Sequence, residues 1–154
     1  KNNYFDTIVA NHMLFYLKDL KQGLTEITRV LKNNGTFYCT TYSKYHMQEI
    51  SELAQNFDSR ISLSDDPLPE RFGLENGKDI LKSYFNYVEL KKYEDYLLIT
   101  EAQPLIDYIL SCHGNQNEYL GNRLKEFKIY IEDLIKESQG IKITKDSGLF
   151  ICTK

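Results

Sequence analysis

The sequence predicts an α/β fold with a mixed sheet, and three observations lead to it. Two β-branched and aromatic segments, residues 5–11 and 36–42, flank an amphipathic segment, which is the pattern of a parallel βαβ unit. The C-terminal residues form a further β-rich segment, which is expected to run antiparallel to its neighbours. Helical periodicity at about 101–138 predicts a helical insertion. A length of 154 residues fits one domain, so a single domain over 1–154 is expected.

The βαβ unit carries the clearest local signals. Thr7, Ile8 and Val9 form a short, nearly continuous β-branched run, which predicts a strand buried on both faces, as in a parallel sheet. The following helix is predicted from leucines and isoleucines at spacings of three and four, namely Leu17, Leu20, Leu24, Ile27 and Leu31. Gly35 is expected to end this helix in a left-handed conformation, and residues 36–42 follow as a strand.

The later elements are assigned in the same way. Periodicity and turn residues predict helices over 44–57, 77–85, 101–112 and 115–138, a strand over 87–100 and a loop over 65–69. The chain is expected to end in a β-hairpin, with strands at 141–144 and 149–152 and Gly148 supplying a positive φ in the turn.

Composition and charge exclude several classes of protein. With 42% hydrophobic and 27% charged residues the chain is too apolar for a disordered protein. A net charge of −3 argues against binding to nucleic acid, which requires clustered positive charge. The longest apolar run, residues 13–17, is too short to span a membrane. Three widely spaced cysteines without a signal-peptide pattern indicate reduced thiols and a cytoplasmic location.

Candidate functional residues lie where the predicted parallel strands end. In open α/β sheets ligands bind beyond the carboxyl ends of the strands, and residues 10–14 and 41–46 occupy those positions. Asn11 and His12 are the best candidates there, whereas Met13, Leu14 and Phe15 are equally typical of core packing. No metal-ligand spacing and no glycine-rich phosphate loop is found, so no metal site is assigned.

Aromatic residues crowd one later stretch of the chain. They fit two interpretations, strand and core packing or an aromatic wall for a small substrate, and they are Tyr84, Phe85, Tyr87, Tyr93 and Tyr96.

Two segments carry a family resemblance. Residues 5–14 have the form Phe-Asp-x-Ile followed by Leu14, and residues 26–35 read Glu-Ile-x-Arg-Val-Leu-Lys-x-x-Gly. This combination resembles the class I S-adenosylmethionine-dependent methyltransferases of the small-molecule type. The resemblance is strong over residues 5–42 and weaker beyond them.

The resemblance implies a partial Rossmann-like fold. Residues 5–42 are similar to the fourth strand, the following helix and the fifth strand of that family. The family's glycine-rich loop and the acids that hold ribose and adenine have no counterpart here. The chain, which starts at Lys1 rather than Met, is therefore expected to be the C-terminal part of a methyltransferase that lacks the N-terminal cofactor-binding half. As such a fragment it would be inactive alone, and S-adenosylmethionine would not bind this chain alone.

The family's roles carry over to few residues. The resemblance implies that Ala10, Asn11, His12 and Met13 lie on the cofactor side. It places Tyr42 and His46 on the side of a small-molecule methyl acceptor. No residue is assigned a catalytic role, because the sulfonium supplies the leaving group and the enzyme mainly aligns the transfer. A general-base role for His12 is the alternative.

Two other interpretations remain open from the sequence. The chain could be a non-enzymatic Rossmann-like module for association or regulation, or it could complete an enzyme by domain swapping or by pairing with a separate N-terminal chain. A homodimer of this chain is expected, through the exposed sheet edge or the adjoining apolar face. The strand that pairs with residues 4–10 in the complete fold is missing, which leaves an apolar edge strand without Pro or Lys. The helices of 101–138 are a candidate part of that contact.

Overall fold

The computed structural model of the chain describes residues 1–64, 66 and 68–154. Its strands are β1 (Phe5–Asn11), β2 (Leu31–Tyr42), β3 (Tyr87–Ile99) and β4 (Ile141–Thr153). Its helices are α1 (Leu20–Val30), α2 (Gln48–Phe57), α3 (Leu68–Arg71), α4 (Gly77–Lys82), α5 (Ala102–Ser111), α6 (Gln116–Leu120) and α7 (Leu124–Ser138). Short 3₁₀ turns occupy Leu14–Tyr16 and Gly121–Arg123.

The four strands form one mixed sheet in the order β1-β2-β4-β3. β1 pairs with β2 in parallel, with Ala10 opposite Cys39 and Asn11 opposite Thr40. β4 pairs with β2 antiparallel, with Leu149 opposite Thr40. The predicted α/β fold class, the parallel βαβ unit and the antiparallel C-terminal strand are therefore confirmed.

The helix of the βαβ unit begins as expected and ends earlier. The Asp19 carboxylate caps α1 by accepting a 2.8 Å hydrogen bond from the Gln22 N–H. Leu31 is already extended and starts β2, so the prediction that Gly35 ends the helix in a left-handed conformation is wrong. A Cβ at Gly35 would lie 2.7 Å from the Leu31 side chain and 3.0 Å from the Asp6 carbonyl oxygen. Glycine is needed there for close approach of β1 and β2, not for a turn.

The predicted C-terminal hairpin is also wrong. β4 runs without a break from Ile141 to Thr153, and Gly148 has no positive φ. Gly148 lies opposite Thr41, and a Cβ on it would come within 3.0 Å of the Leu74 and Leu90 side chains. The glycine serves close packing inside a strand, and it has no role in a turn.

Several helix boundaries differ from the prediction. α2 begins at Gln48, after Met47 in a left-handed conformation. The segment 115–138 is broken into α6, a 3₁₀ turn and α7. Of the predicted loop 65–69, the part from Leu68 forms α3, and Asp65 and Pro67 lie outside the described residues.

The chain divides into two compact units. The first comprises residues 1–46, 68–94 and 146–154, and the second comprises the described residues of 47–67 and 95–145. The first unit has its own apolar core, whose fully buried large side chains include Leu14, Phe15, Leu24, Leu31, Phe37, Phe72, Leu81 and Phe150. The core of the second unit includes Ile50, Ile61, Leu105, Ile109, Leu120, Phe127, Ile131 and Ile143.

The predicted inward positions agree with these cores. Leu24 and Leu31 are fully buried, while Leu20 and Ile27 pack against the same core from its margin. Burial of one such side chain contributes about 1.5–3 kcal/mol. The amphipathic stripe read from the sequence is therefore what attaches α1 to the sheet.

Hydrogen bonds close the second unit around Asn115. Its amide oxygen accepts from the Ser62 N–H at 2.7 Å, its amide nitrogen donates to the Arg60 carbonyl at 3.0 Å, and its backbone N–H donates to the Ser62 carbonyl at 2.9 Å. Nearby, Asp58 accepts from Arg60 at 2.7 Å and from Arg123 at 3.0 Å. The Arg60 hydrogen bonds hold the pKa of the Asp58 carboxyl well below its usual range.

The three cysteines form no disulfide. Cys39 and Cys152 are buried in the core of the first unit, on neighbouring strands. A hydrogen bond to Cys152, together with burial, raises the pKa of the Cys39 thiol far above its usual value. Such a thiol is an apolar packing group rather than a nucleophile.

Within the described part of the chain, no helix is long and apolar enough to cross a membrane.

Candidate functional site

The residue that ends β1 has an uncommon backbone. His12 has a φ of 46°, in the left-handed region that non-glycine residues seldom adopt. Its N–H donates to both the carbonyl oxygen and the hydroxyl oxygen of Thr40, each at 3.1 Å. The Thr40 hydroxyl also lies 3.5 Å from the Asn11 amide oxygen. The neighbouring strand thus holds the backbone turn that directs the His12 side chain.

Three rings stack beyond the ends of β1 and β2. The His12 ring stacks on Tyr42, with centroids 6.0 Å apart and planes inclined by 23°. On Tyr42 a second imidazole, that of His46, lies 5.2 Å away at 35°. Phe15 meets Tyr42 edge to face at 5.2 Å. The structure therefore brings together His12 from the predicted cofactor side and Tyr42 and His46 from the predicted acceptor side.

The position of His46 follows from a turn after β2. Its backbone N–H donates to the Ser43 carbonyl, and the Ser43 N–H donates to the Asp146 carbonyl. In return the Asp146 N–H donates to Nδ1 of His46 at 3.1 Å. Because Nδ1 accepts a hydrogen bond, the neutral ring carries its proton on Nε2. Nδ1 therefore serves to orient the ring and is unavailable as a base.

A cavity of about 280 Å³ opens beside His12. Residues of all four strands or their ends line it, namely His12, Thr40, Lys91, Lys92, Tyr93, Ser147, Gly148 and Leu149. These residues include a histidine, two lysines and three residues with hydroxyl groups, but the surface that faces the cavity is mainly apolar. Such a concave surface with a few convergent polar groups is the usual form of a small-molecule site.

The two lysines of the cavity are loosely paired. Lys91 Nζ lies 3.9 Å from a Glu89 carboxylate oxygen, and Lys92 Nζ lies 3.9 Å from Asp146. Both distances exceed that of a hydrogen bond. The ammonium groups thus keep most of their capacity to donate hydrogen bonds.

The four residues on the predicted cofactor side lie in different surroundings. Ala10 is buried in the core beneath the sheet, opposite Cys39. Asn11 and His12 are exposed, and His12 lines the cavity. Met13 is also exposed, and its carbonyl accepts from the Tyr16 N–H. At 3% exposure, Ala10 offers almost no surface to a ligand.

The sequence interpretation missed most of the cavity wall. Thr40 could have been identified from the sequence, because it lies opposite Asn11 in the parallel strand pair, at the same edge of the sheet. Residues 147–149 were hidden by the mistaken hairpin, which assigned 145–148 to a turn. Lys91 and Lys92 carried no signal, since exposed lysines on a strand are common.

The aromatic residues between Tyr84 and Tyr96, for which core packing and a substrate wall were both open, do not all lie in the same surroundings. Phe85 stacks on Phe37 at 5.5 Å inside the core, and Tyr84 packs against that core. Tyr87, Tyr93 and Tyr96 are exposed. Of the cluster, Tyr93 lies in the cavity wall, so a continuous aromatic wall is not formed.

Among residues 1–64, 66 and 68–154, no group of three or more His, Cys, Asp and Glu side chains is arranged to hold a metal ion.

Known sequences relate to this chain in two ways. The family model described as "Methyltransferase domain" matches residues 1–39, which contain β1, α1 and most of β2. The malonyl-[acyl-carrier protein] O-methyltransferase of Chlorobium luteolum is 25% identical over 142 residues, which cover 90% of this chain and 50% of that protein. Both matches are to methyltransferases. The match supports the resemblance to the class I S-adenosylmethionine-dependent enzymes noted from residues 5–42.

Solved structures agree on the fold. A protein of Anaeromyxobacter dehalogenans described as a type II methyltransferase superposes with a TM-score of 0.60 at 17% identity, over 99% of this chain and 66% of that one. A Bacillus halodurans protein described as a methyltransferase superposes with a TM-score of 0.53 at 11% identity, over 97% and 64%. At these identities the likeness shows a methyltransferase-like fold and nothing about substrate.

These matches cover a larger share of this chain than of the proteins that it resembles. The chain spans about half the length of the curated relative that it matches.

Proposed function

We propose that this chain is the C-terminal part of a single S-adenosylmethionine-dependent methyltransferase domain, which transfers a methyl group to a small-molecule acceptor. On this proposal the chain is inactive alone and acts in the cytoplasm. The observation that carries it is the meeting of His12, Tyr42 and His46 at the carboxyl ends of parallel strands β1 and β2, beside a cavity. Ligands bind at this edge in open α/β sheets.

The cavity fits one part of the reacting pair. Its volume of about 280 Å³ is at the lower end for small-molecule sites, so it can hold an acceptor group or one end of the cofactor, but not both. None of the described residues that line it is a carboxylate that could hold ribose hydroxyls. Asn11 and His12 fit the methionine end of the cofactor, and the remaining contacts are assigned to residues outside this chain.

Methyl transfer from S-adenosylmethionine requires alignment of the acceptor more than covalent catalysis by the protein. S-adenosylmethionine supplies a methyl group on a good leaving group, so the rate depends on in-line positioning of the acceptor. Here Thr40 holds the His12 backbone, and His12 and His46 hold the Tyr42 ring. Residues that are fixed in this way give a rigid wall against which an acceptor is oriented.

Substitution of Asn11 or His12 tests the cofactor side. In the longer protein that we propose contains this chain, Asn11→Ala and His12→Ala are each expected to weaken S-adenosylmethionine binding or turnover. We expect an effect of about tenfold, because each change removes about one hydrogen-bonding group from a partly exposed site. Calorimetric titration and initial rates measure the two effects.

The control for this test is Asn86→Ala, which is expected to leave both quantities unchanged. Asn86 lies at the opposite end of the sheet, where its N–H donates to Thr153 near the end of β4. If Asn11→Ala and His12→Ala both behave like this control, the assignment of the cofactor side to residues 10–13 is wrong.

We also propose that the 154-residue chain by itself forms a homodimer. β1 is an edge strand, on which Phe5 and Val9 are about half exposed, and an open groove of about 350 Å³ adjoins it. Ile27 and Val30 of α1 line this groove with little polar surface. An edge strand next to an apolar groove is a template for pairing with another chain.

Light scattering at micromolar concentration checks this assembly. We expect twice the chain mass for the unchanged sequence, and the mass of one chain for Val9→Lys, because a charge on the edge strand opposes pairing. Tyr87→Lys on β3, a similarly exposed aromatic position at the other edge of the sheet, is the control and is expected to remain dimeric. A single-chain mass for the unchanged sequence would contradict the proposal.

A further inference from the structure

His12 combines a strained backbone with a place in the candidate site. Its φ of 46° lies in the left-handed region, and its side chain lines the cavity and stacks on Tyr42. A residue with a Cβ persists in that region only where neighbouring groups hold it, and such residues occur often at functional sites. The groups that hold His12 therefore decide how the end of β1 is presented to a ligand.

Two atoms of Thr40 hold the His12 N–H. The bond to the Thr40 carbonyl oxygen, at 3.1 Å, is a backbone contact that does not depend on the side chain at position 40. The bond to the Thr40 hydroxyl oxygen, also at 3.1 Å, requires a hydroxyl there. The same hydroxyl lies 3.5 Å from the Asn11 amide oxygen, which is longer than a usual hydroxyl hydrogen bond. Thr40 thus acts chiefly on His12.

The other described non-glycine residues with positive φ are held through backbone carbonyls. Asn3 and Met47 each donate the N–H to such a carbonyl, and so does Gln139, which ends α7. The end of a helix is a common place for a left-handed residue. His12 instead follows a strand, and a side-chain hydroxyl is added to its backbone contact. The Thr40 hydroxyl is therefore the part of this arrangement that the sequence specifies.

We propose that Thr40 is a positioning residue for the methyl transfer. Its hydroxyl holds His12 in the left-handed conformation and thereby keeps Asn11 and His12 in the arrangement that binds the cofactor. Naming the ligand as S-adenosylmethionine rests on the proposed function. Control of the His12 φ by the hydroxyl depends on this chain alone, so it is tested on the 154-residue chain without a ligand.

The first test is nuclear magnetic resonance of the chain labelled with ¹³C and ¹⁵N, in which chemical shifts and three-bond couplings report the φ of His12. Thr40→Val removes the hydroxyl and keeps a β-branched side chain that suits a strand. In this variant His12 is expected to leave the left-handed region for part of the time, because one of its two hydrogen bonds is lost. In Thr40→Ser, which keeps a hydroxyl, the φ is expected to stay positive.

The matched control is Thr36→Val. Thr36 lies on the same strand, is half-buried like Thr40, and pairs with Thr7 rather than with the end of β1. It is expected to leave the φ of His12 unchanged. An unchanged φ in Thr40→Val as well would overturn the inference.

The second test is binding and turnover by the longer protein that we propose contains this chain. Thr40→Val is expected to weaken S-adenosylmethionine about fivefold, because affinity falls with the fraction of molecules that keep the binding conformation, and the left-handed region is disfavoured by about that factor. The KM of the acceptor is expected to stay unchanged, which a general loss of structure would not allow. Thr40→Ser is expected to bind like the unchanged protein.

A double-variant cycle with His12→Gly separates positioning from other roles of Thr40. Glycine adopts a positive φ without a steric cost, so Thr40→Val is expected to cause no further loss of affinity in a protein that carries His12→Gly. An equal loss with and without His12→Gly would mean that the hydroxyl does not act through the His12 backbone, and the inference would fail.

The outcomes also distinguish this inference from the proposed function. If Asn11→Ala and His12→Ala weaken S-adenosylmethionine and Thr40→Val does not, the role of Thr40 is refuted and the proposed function stands. A change in the His12 φ that occurs in Thr40→Val and not in Thr40→Ser supports the role of the hydroxyl even if Asn11→Ala and His12→Ala prove silent.

Discussion

The 154-residue chain is expected to show no binding of S-adenosylmethionine in calorimetric titration up to about 1 mM cofactor. The longer protein that we propose contains it is expected to bind in the micromolar range, a difference of at least a thousandfold. This is the largest functional effect that the proposal implies.

The reason is the small number of contacts available in this chain. A micromolar dissociation constant requires about 8 kcal/mol, after the cost of immobilising the ligand has been met. Asn11 and His12 at the end of β1 offer a few hydrogen bonds, each contributing about 0.5–1.5 kcal/mol. Ala10 is buried, and the cavity beside His12 is too small for the whole cofactor.

The titration should be run with both proteins and with S-adenosylhomocysteine as a second ligand. Retained secondary structure by circular dichroism shows that the 154-residue chain is folded under the same conditions. A micromolar dissociation constant for the folded chain alone would refute the fragment proposal, because the binding groups would then lie within these residues.

Gly114→Ala is expected to destabilise the chain by more than about 4 kcal/mol, which is exceptional for a single methyl group. A Cβ at this position would lie 1.8 Å from the Ser62 carbonyl oxygen and 2.6 Å from its carbon. These are backbone atoms, which cannot rotate away as a side chain can. The Ser62 backbone is also held by Asn115, which accepts from its N–H and donates to its carbonyl.

Gly121→Ala is the matched control for this substitution. No atom lies within 4 Å of a Cβ at Gly121, and its φ of −48° and ψ of −51° are helical. The control is expected to be neutral or to stabilise by up to about 1 kcal/mol, because alanine loses less backbone entropy than glycine. Urea unfolding of the two variants and the unchanged chain measures the difference. A loss below about 1 kcal/mol for Gly114→Ala would show that the 62–64 segment does not pack against Gly114 as described.

The sequence by itself determined the fold class and the edge of the sheet at which the candidate site lies. The β-branched run at 7–9 predicts the strand β1, and the leucine stripe ending at Leu31 predicts the buried face of α1. The predicted burial of β1 on both faces is wrong, because β1 lies at the edge of the sheet, where Thr7 and Val9 are exposed. From the parallel βαβ unit it follows that Asn11, His12 and residues 41–46 lie at one edge of the sheet. The structure brings His12, Tyr42 and His46 together there.

Only the tertiary structure decided what the glycines do and which residues complete the cavity. Gly35 and Gly148 resemble turn residues in the sequence, but both lie within strands, where nearby leucine side chains and backbone carbonyls leave little room for a Cβ. β2, a partner far away in sequence, pairs with residues 147–153 of β4 and keeps the strand extended across Gly148. That long-range pairing places Ser147–Leu149 beside Thr40, and local patterns carry no information about it because the contact exists only once the sheet has formed.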